Sequence, residues 1–284
     1  MSDDAPADIL LVSSQVVRGA VGGRAGFALE RLGHALAFLP TVTLPWHPGH
    51  GRGTRILPSA ETFAAIASDL AGAPWLAGVG AVVTGYLGEA AQAGPIAALV
   101  RAVKAANPAA LHLCDPVIGD TGGLYVPEAT AVAVREELLP LADVATPNLF
   151  ELGWLAGRPV ATAQEAAVVA RTLGPARVAV TSVPAMMRGK IGTLLVGPKG
   201  AVVAENPLVE TPPHGTGDLF AALFADRLLA GKPDQTALAE AVAGTFDVLA
   251  RSARLGADEM QLARFQDAFV RPMAMVDLRR LALP

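Results

Sequence analysis

The sequence predicts an α/β protein, a doubly wound and mostly parallel sheet with helices on both faces. Short continuous apolar runs, such as Ile9-Leu10-Leu11-Val12 and Ala81-Val82-Val83-Thr84, read as strands buried on both sides. Stretches of helical pattern alternate with them along the chain. No composition break or internal repeat divides the 284 residues, and 52% hydrophobic content supplies a sizeable core, so 1–284 is expected to be one domain.

Ser13, Ser14 and Gln15 leave the first strand, Gly19, Gly22 and Gly23 make a loop, and Phe27, Ala28, Leu29 and Leu32 mark a helix that Gly33 stops. Ala35 to Leu39 is the next expected strand. From Pro40 to Pro58 periodicity is lost while Trp46, His47, Gly49, His50, Gly51 and Gly53 accumulate, and a loop of this length is more often functional or mobile than filler. Ser59 caps a helix from Ala60 to about Leu70, and the strand from Ala81 to Thr84 exits through Gly85-Tyr86-Leu87. A helix from Pro95 to Ala106 precedes a strand from Leu111 to Cys114, whose exit reads Asp115-Pro116-Val117-Ile118-Gly119-Asp120. Val144-Ala145-Thr146 leads through Pro147-Asn148 into a helix with Glu151 on its first turn. Thr162 and Glu165 form a capping box for a helix to Leu173. Val178 to Val180 is a strand ending at Thr181-Ser182, and Ile191–Val196 with Ala201–Ala204 is an antiparallel hairpin. An apolar helix from Leu219 to Leu229 and another from about Thr236 to Arg251 follow.

Composition excludes several classes. The net charge of −4, with no block of like charges, argues against nucleic acid or an acidic membrane surface as main partner. Met1 to Asp8 carries Asp3, Asp4 and Asp8 and no basic residue, which does not suit a signal peptide, and no apolar run is long enough for a membrane span. The single cysteine, Cys114, rules out an internal disulfide and fits a reducing cytoplasm as an inert buried thiol.

In doubly wound sheets ligands bind at the carboxyl ends of the strands, so Ser14, Tyr86, Asp115, Thr146, Thr181 and the turn His214-Gly215-Thr216-Gly217-Asp218 are expected on one edge. The glycines let backbone approach a ligand, and the free N–H groups of the first helical turn suit an anion such as phosphate. Asp218 beside such a site either caps the helix or takes a proton. With Asp115, Asp120 and Glu151 on the same edge as candidate holders of Mg2+, these are the parts phosphoryl transfer needs. There is no Gly-rich motif ending in Lys-Ser or Lys-Thr, so P-loop kinases are not the pattern.

Ser14-Gln15-Val16-Val17-Arg18-Gly19 with Val21-Gly22, Thr84-Gly85-Tyr86-Leu87, Asp115-Pro116-Val117-Ile118-Gly119-Asp120, Thr146-Pro147-Asn148-Leu149-Phe150-Glu151 and Gly215-Thr216-Gly217-Asp218 occur in the order and approximate spacing of pyridoxal kinases. Over nearly its whole length the chain resembles that family, part of the ribokinase-like superfamily. The resemblance implies ATP-dependent phosphorylation of the hydroxymethyl group of pyridoxal, and of pyridoxine and pyridoxamine. It makes Asp218 the catalytic base and the amides of Gly215, Thr216 and Gly217 an anion hole. It puts Asp115, Asp120, Thr146 and Glu151 around Mg2+ and a monovalent cation, K+. Asn148, Thr181, Ser182 and Thr216 fall on the ATP side, Ser14, Val21, His47 and Tyr86 around the pyridine ring, and a cytoplasmic homodimer is the implied assembly.

The chain departs from the family at Gly23, where Asn is frequent, and at His47-Pro48, where His-Thr is frequent. The missing threonine hydroxyl removes a substrate hydrogen bond worth about 0.5–1.5 kcal/mol net. The lid segment Gly123-Leu124-Tyr125-Val126 lacks the cysteine of some members. Two alternatives are retained: a kinase of the same fold acting on hydroxymethylpyrimidine or another small molecule, and a non-catalytic protein that binds ATP or pyridoxal phosphate. The retained Asp218 speaks against the second.

Overall fold

The computed structural model describes residues 9–282. The acidic segment Met1–Asp8, read above as no signal peptide, lies outside the described residues.

The first strand, β1 (Ile9–Val16), continues past its apolar run, because Ser13 and Gln15 pair with Pro40 and Thr43 of β2 (Leu36–Leu44) across an irregularity in register. The helix α1 (Gly26–Arg31) connects them. β2 runs five residues, Pro40 to Leu44, into the stretch expected to be loop, which corrects the boundary drawn at Pro40. Proline is accommodated because β2 is an edge strand, where a missing N–H removes no obligatory ladder bond. Beyond β2 the chain makes an excursion that closes on itself, Thr43 and Ile56 exchanging backbone hydrogen bonds of 2.9 and 3.0 Å.

The next units follow the expected alternation: α2 (Ala60–Ala71), capped by the Ser59 hydroxyl, then β3 (Ala81–Thr84), α3 (Ala93–Ala106) and β4 (Leu111–Cys114). The exit of β4 folds into a small antiparallel pair, β5 (Gly119–Asp120) and β6 (Gly123–Leu124), and α4 (Glu128–Ala133) runs on into a π-turn over Val134–Leu138. Then come β7 (Val144–Ala145), α5 (Leu149–Leu155), α6 (Ala163–Ala170) and β8 (Arg177–Pro184). α6 ends three residues before the expected Leu173. The hairpin is β9 (Lys190–Gly197) with β10 (Gly200–Pro207), and the chain closes with α7 (Thr216–Leu229), α8 (Asp234–Arg254), α9 (Gln266–Val270) and β11 (Asp277–Leu281).

One nine-stranded sheet takes all strands but β5 and β6, in the order β11-β10-β9-β8-β7-β4-β3-β1-β2. From β2 to β8 neighbours are parallel, and from β8 to β11 they are antiparallel. Strand alternation divides the core into two layers. Leu10 and Val12 pack on the side of α2 to α6, whereas Ile9 and Leu11 pack on the side of α1, α7, α8 and α9. In α7, Leu219, Leu223 and Phe224 have no exposed surface, and burial of each contributes roughly 1.5–3 kcal/mol. Its two mid-helix charges are paired: Arg227 with Asp226 and, at 2.8 Å, with Glu240, while His34 reaches Asp226 at 2.8 Å. Among the described residues no helix is long and apolar enough to cross a membrane.

Candidate active site

The first turn of α7 is built on Gly215, whose φ of 100° is the left-handed region that glycine adopts without strain. A Cβ there would lie 2.8 Å from the Ala20 carbonyl oxygen, so the turn and the loop after β1 are pressed together. Gly215, not Asp218, is the N-cap, and no side chain caps the helix. Asp218 therefore keeps its carboxylate for something else. Burial pushes its pKa up to about 6, and hydrogen bonds from the backbone of Gly22 and from its own backbone limit the rise. A carboxylate with that pKa is ionised near neutrality and basic enough to accept a hydroxyl proton.

Facing Asp218 are the exits of β4 and β7. Thr146 donates its hydroxyl to Asp115 Oδ1 at 2.9 Å. Burial holds Asp115 well above the usual carboxylate range, and the negative charges of Glu151 and Asp218 add to this. Glu151 is bound up differently: Oε1 accepts from the backbone N–H of Ile118 and Gly119 at 2.8 and 3.4 Å, and Oε2 from that of Asn148 at 2.8 Å. The last contact, with Asn148 Oδ1 accepting from Glu151 N–H, is a capping box that starts α5. Burial lifts Glu151 to about 7, the same three N–H groups opposing the rise. Asn148 also donates to the Gly119 carbonyl at 2.7 Å. Asn148 and Glu151 thus fix the loop that carries Asp115 and Asp120. Asp120 is exposed, with Oδ1 accepting from Gly122 N–H at 2.8 Å.

On the nucleotide side expected from sequence, the β8–β9 register breaks between Val180 and Val183. The break turns Thr181 and Ser182 toward the cavity, as bulges beside binding sites do, and Ser182 takes a positive φ of 60°.

The opposite wall is the excursion after β2. His47 caps a short turn, Pro48–His50, by accepting from Gly49 N–H at its Nδ1 (3.1 Å), and Pro48 occupies the first turn position, which needs no N–H. Proline in place of the family's threonine is thereby explained locally. Burial, then the neighbouring His214 and His50, lower the His47 pKa to about 4. The ring is neutral, with its proton on Nε2, available as a donor. At Gly23, the other departure, a Cβ would stand 2.2 Å from the Phe38 ring, so a larger residue fits only if that ring moves.

All these groups line one cavity of about 700 Å³. Its wall contains every residue singled out from sequence: Ser14, Val21, His47, Tyr86, Asp115, Asp120, Thr146, Asn148, Glu151, Thr181, Ser182, Gly215, Thr216, Gly217 and Asp218. It also contains residues the sequence did not single out for a role. Val117, at φ 46°, is strained for a β-branched residue, and Tyr125 comes from the lid segment. Ile191, Asn206, Leu208 and Phe246 come from β9, β10, the chain beyond it, and α8. The hairpin and α8 were legible as elements but carried no polar motif to point at a ligand. Asp218 itself bonds to Gly22, a residue noted only as part of a pair.

Comparisons with known proteins agree with this geometry. The Phosphomethylpyrimidine kinase family model matches residues 64–263. The chain is 36% identical to Pyridoxal kinase PdxY of Rubrobacter xylanophilus, over 99% of this chain and 100% of that one. It is 38% identical to the pyridoxine/pyridoxal/pyridoxamine kinase of Bordetella bronchiseptica, covering 91% and 94%. Among solved structures, pyridoxal kinase from Leishmania donovani in complex with ADP and pyridoxine superposes with a TM-score of 0.88 at 29% identity, over 96% of this chain and 99% of that one. The sheet order, the cavity at its carboxyl edge and the full-length relatives together place the chain in the pyridoxal kinase family, with the ribokinase-like fold.

Proposed function

We propose that the chain transfers the terminal phosphoryl group of ATP to the hydroxymethyl group of pyridoxal, and of pyridoxine and pyridoxamine, giving pyridoxal 5'-phosphate and its analogues. The observation that carries this is Asp218: a carboxylate raised to about 6, not used as a helix cap, standing on the first turn of a helix whose N–H groups face the same cavity. Asp218 takes the proton of the attacking hydroxyl, which suits a gain of roughly 10²–10⁴-fold for a positioned base. The amides of Gly215, Thr216 and Gly217 receive charge on the moving phosphoryl group, each donor contributing about 3 kcal/mol. Neutral His47, with Ser14, Val21 and Tyr86, holds the pyridine ring, and Asn148, Thr181, Ser182 and Thr216 line the ATP side.

Mg2+ and a monovalent cation such as K+ fit the donors present. Asp115, Asp120, Glu151 and Asp218 face a cavity whose described lining contains no lysine or arginine, so the phosphates of ATP need another source of positive charge. Among the described residues no three His, Cys, Asp or Glu are gathered closely enough to cage a metal, which suits an ion that keeps its waters and takes phosphate oxygens. Asp115, Asp120, Thr146 and Glu151 would surround these cations, and Mg2+ when bound supplies neutralisation of phosphate charge. The continuous sheet from β1 to β11 supports one kinase domain over 1–284. A cytoplasmic homodimer completes the proposal, by likeness to the family.

The second candidate, phosphorylation of a hydroxymethylpyrimidine, is favoured by the family model's description and by Pro48 in the altered flap, the excursion after β2 at residues 45–53. Phosphate transfer from Mg-ATP to pyridoxal, pyridoxine, pyridoxamine and hydroxymethylpyrimidine, measured in parallel with Asp218→Asn as control, decides between them. Transfer to the pyridines that disappears in the variant is expected. Transfer only to the pyrimidine would move the assignment to the second candidate, and binding of ATP or pyridoxal phosphate without transfer would leave a binding protein.

A further inference from the structure

Glu259 lies in the chain between α8 and α9, is 6% exposed, and lies outside every motif that identifies the site. Its backbone runs beside His214, the residue before the anion-binding turn: His214 N–H bonds the Asp258 carbonyl at 2.9 Å and Met260 N–H bonds the His214 carbonyl at 3.0 Å. Its carboxylate spans two other pieces of the site. Oε2 accepts from Ala20 N–H in the loop that carries Val21 and Gly22, and Oε1 lies 3.2 Å from His50 Nε2 on the flap. The fit to the loop is close, since a Cβ on Gly19 would stand 2.5 Å from Oε2. His50 belongs to a group of three rings, His47 stacked on His214 at 4.0 Å with His50 edge-on to them at 6.1 and 5.8 Å.

We infer that Glu259 is a positioning residue that assembles the pyridine pocket, tying the flap at residues 45–53, through His50, to the substrate loop at Ala20 and to the anion turn at His214. It touches no reacting atom. What it fixes is the distance between the group that holds the ring, His47, and the groups that carry out transfer, Gly215 to Asp218. A buried carboxylate that joins two segments far apart in sequence, on a backbone paired with a third, has little other employment, because neither the capping of a helix nor the pairing of strands requires its charge. The inference rests on the cavity being the vitamer site.

The test uses the full-length protein with Glu259→Gln, His50→Ala and the double variant. Glutamine retains an acceptor for Ala20 N–H and loses the nearer of the two carboxylates facing His50, the other being the more exposed Asp258 at 3.7 Å. It therefore weakens the flap link selectively, and His50→Ala sits on an exposed segment outside the core. Hydrogen exchange of residues 46–53 in the ligand-free protein is read first. Exchange faster by about tenfold in both single variants, with the double variant no faster, is expected of residues acting through one contact. Kinetics follow: KM for pyridoxal should rise by about tenfold, with kcat and KM for ATP changing less than about twofold, the signature of lost ring positioning. Unchanged flap exchange, additive effects in the double variant, or equal loss on ATP and pyridoxal would each overturn the inference. Absence of any transfer to pyridoxal by the unaltered protein would instead count against the proposed function, and the exchange experiment would still decide the role of Glu259.

Discussion

His47 lies nearly flat against His214, ring centroids 4.0 Å apart and planes 29° from parallel. Two imidazoles in that arrangement cannot both be protonated at low cost, and burial already disfavours the charged form of His47. His47 is expected to titrate near 4 by NMR. In His214→Ala its pKa should move up while staying below 6.5, because burial is the larger cause. The sign for stability follows. A histidine whose folded pKa is lowered withdraws stability as pH falls below 6.5, and the loss is complete below about 4.

Asp218 should set the acidic limb of activity. Its ionised form is the base, so in the absence of further titrations the rate falls as pH drops through about 6. Asp218→Asn should lose about 10²–10⁴-fold in kcat. The same substitution should stabilise the fold. Raising a carboxylate from 3.8 to about 6 penalises the folded state above pH 6 and not below 3.8, by up to about 3 kcal/mol at 1.36 kcal/mol per unit. Urea unfolding in chelator should therefore show the variant more stable at pH 7 and equal to the parent near pH 3.5. Equal stability at both would mean that Asp218 is not under strain in the native protein.

The architecture and the cavity were legible in the sequence for different reasons. The strand Ala81–Thr84 begins and ends where expected because burial on both faces leaves an apolar run, and Leu111–Cys114 does so although the buried His112 interrupts its apolar residues. The strand β2 was cut short because Pro40 reads as a breaker, and only the sheet order reveals the edge where proline is tolerated. The residues at strand exits were found because topology alone sends them to one edge. Glu259 was not, because its place depends on a contact 239 residues away in sequence, to Ala20, and nothing around it resembles a motif. Likewise Glu151 could be read as an acid on a first helical turn, but not as the acceptor of three loop N–H groups.

That second case gives a direct test. Glutamine at 151 offers one acceptor oxygen where the glutamate uses two, so the N–H of Asn148 or of Ile118 is left without its partner in a site that is 3% exposed. Leaving one buried donor unsatisfied costs about 1–3 kcal/mol. Glu151→Gln also removes the buried charge behind the raised pKa of about 7, so at pH 7 the net loss of stability in denaturant unfolding is expected to be smaller than that amount. It should also weaken transfer, because the Ile118–Asp120 segment that it braces carries a carboxylate of the cavity. A loss of the full amount, about 1–3 kcal/mol, at pH 7 would show that the Glu151 charge is not penalised in the folded state.

Gly22 tests the coupling between loop and base. Its φ is 59°, a Cβ would stand 2.2 Å from Ser14 Oγ and 2.6 Å from the Ser14 carbonyl, and its backbone bonds the Asp218 carboxylate. Alanine there must displace the loop. The backbone penalty is about 1 kcal/mol, to which the clash adds. Loss of a hydrogen bond to the ionised form raises a carboxylate's pKa, so the acidic limb of the rate profile should move above 6 while the plateau falls. Gly33→Ala serves as the control, because Gly33 has a φ of 101° and nothing within 4 Å of the added Cβ. It should lose comparable backbone energy in unfolding and leave the pH profile where it was. A limb that moves in both variants would trace the shift to general loosening, whereas movement in Gly22→Ala alone ties the basicity of Asp218 to one N–H of the loop after β1.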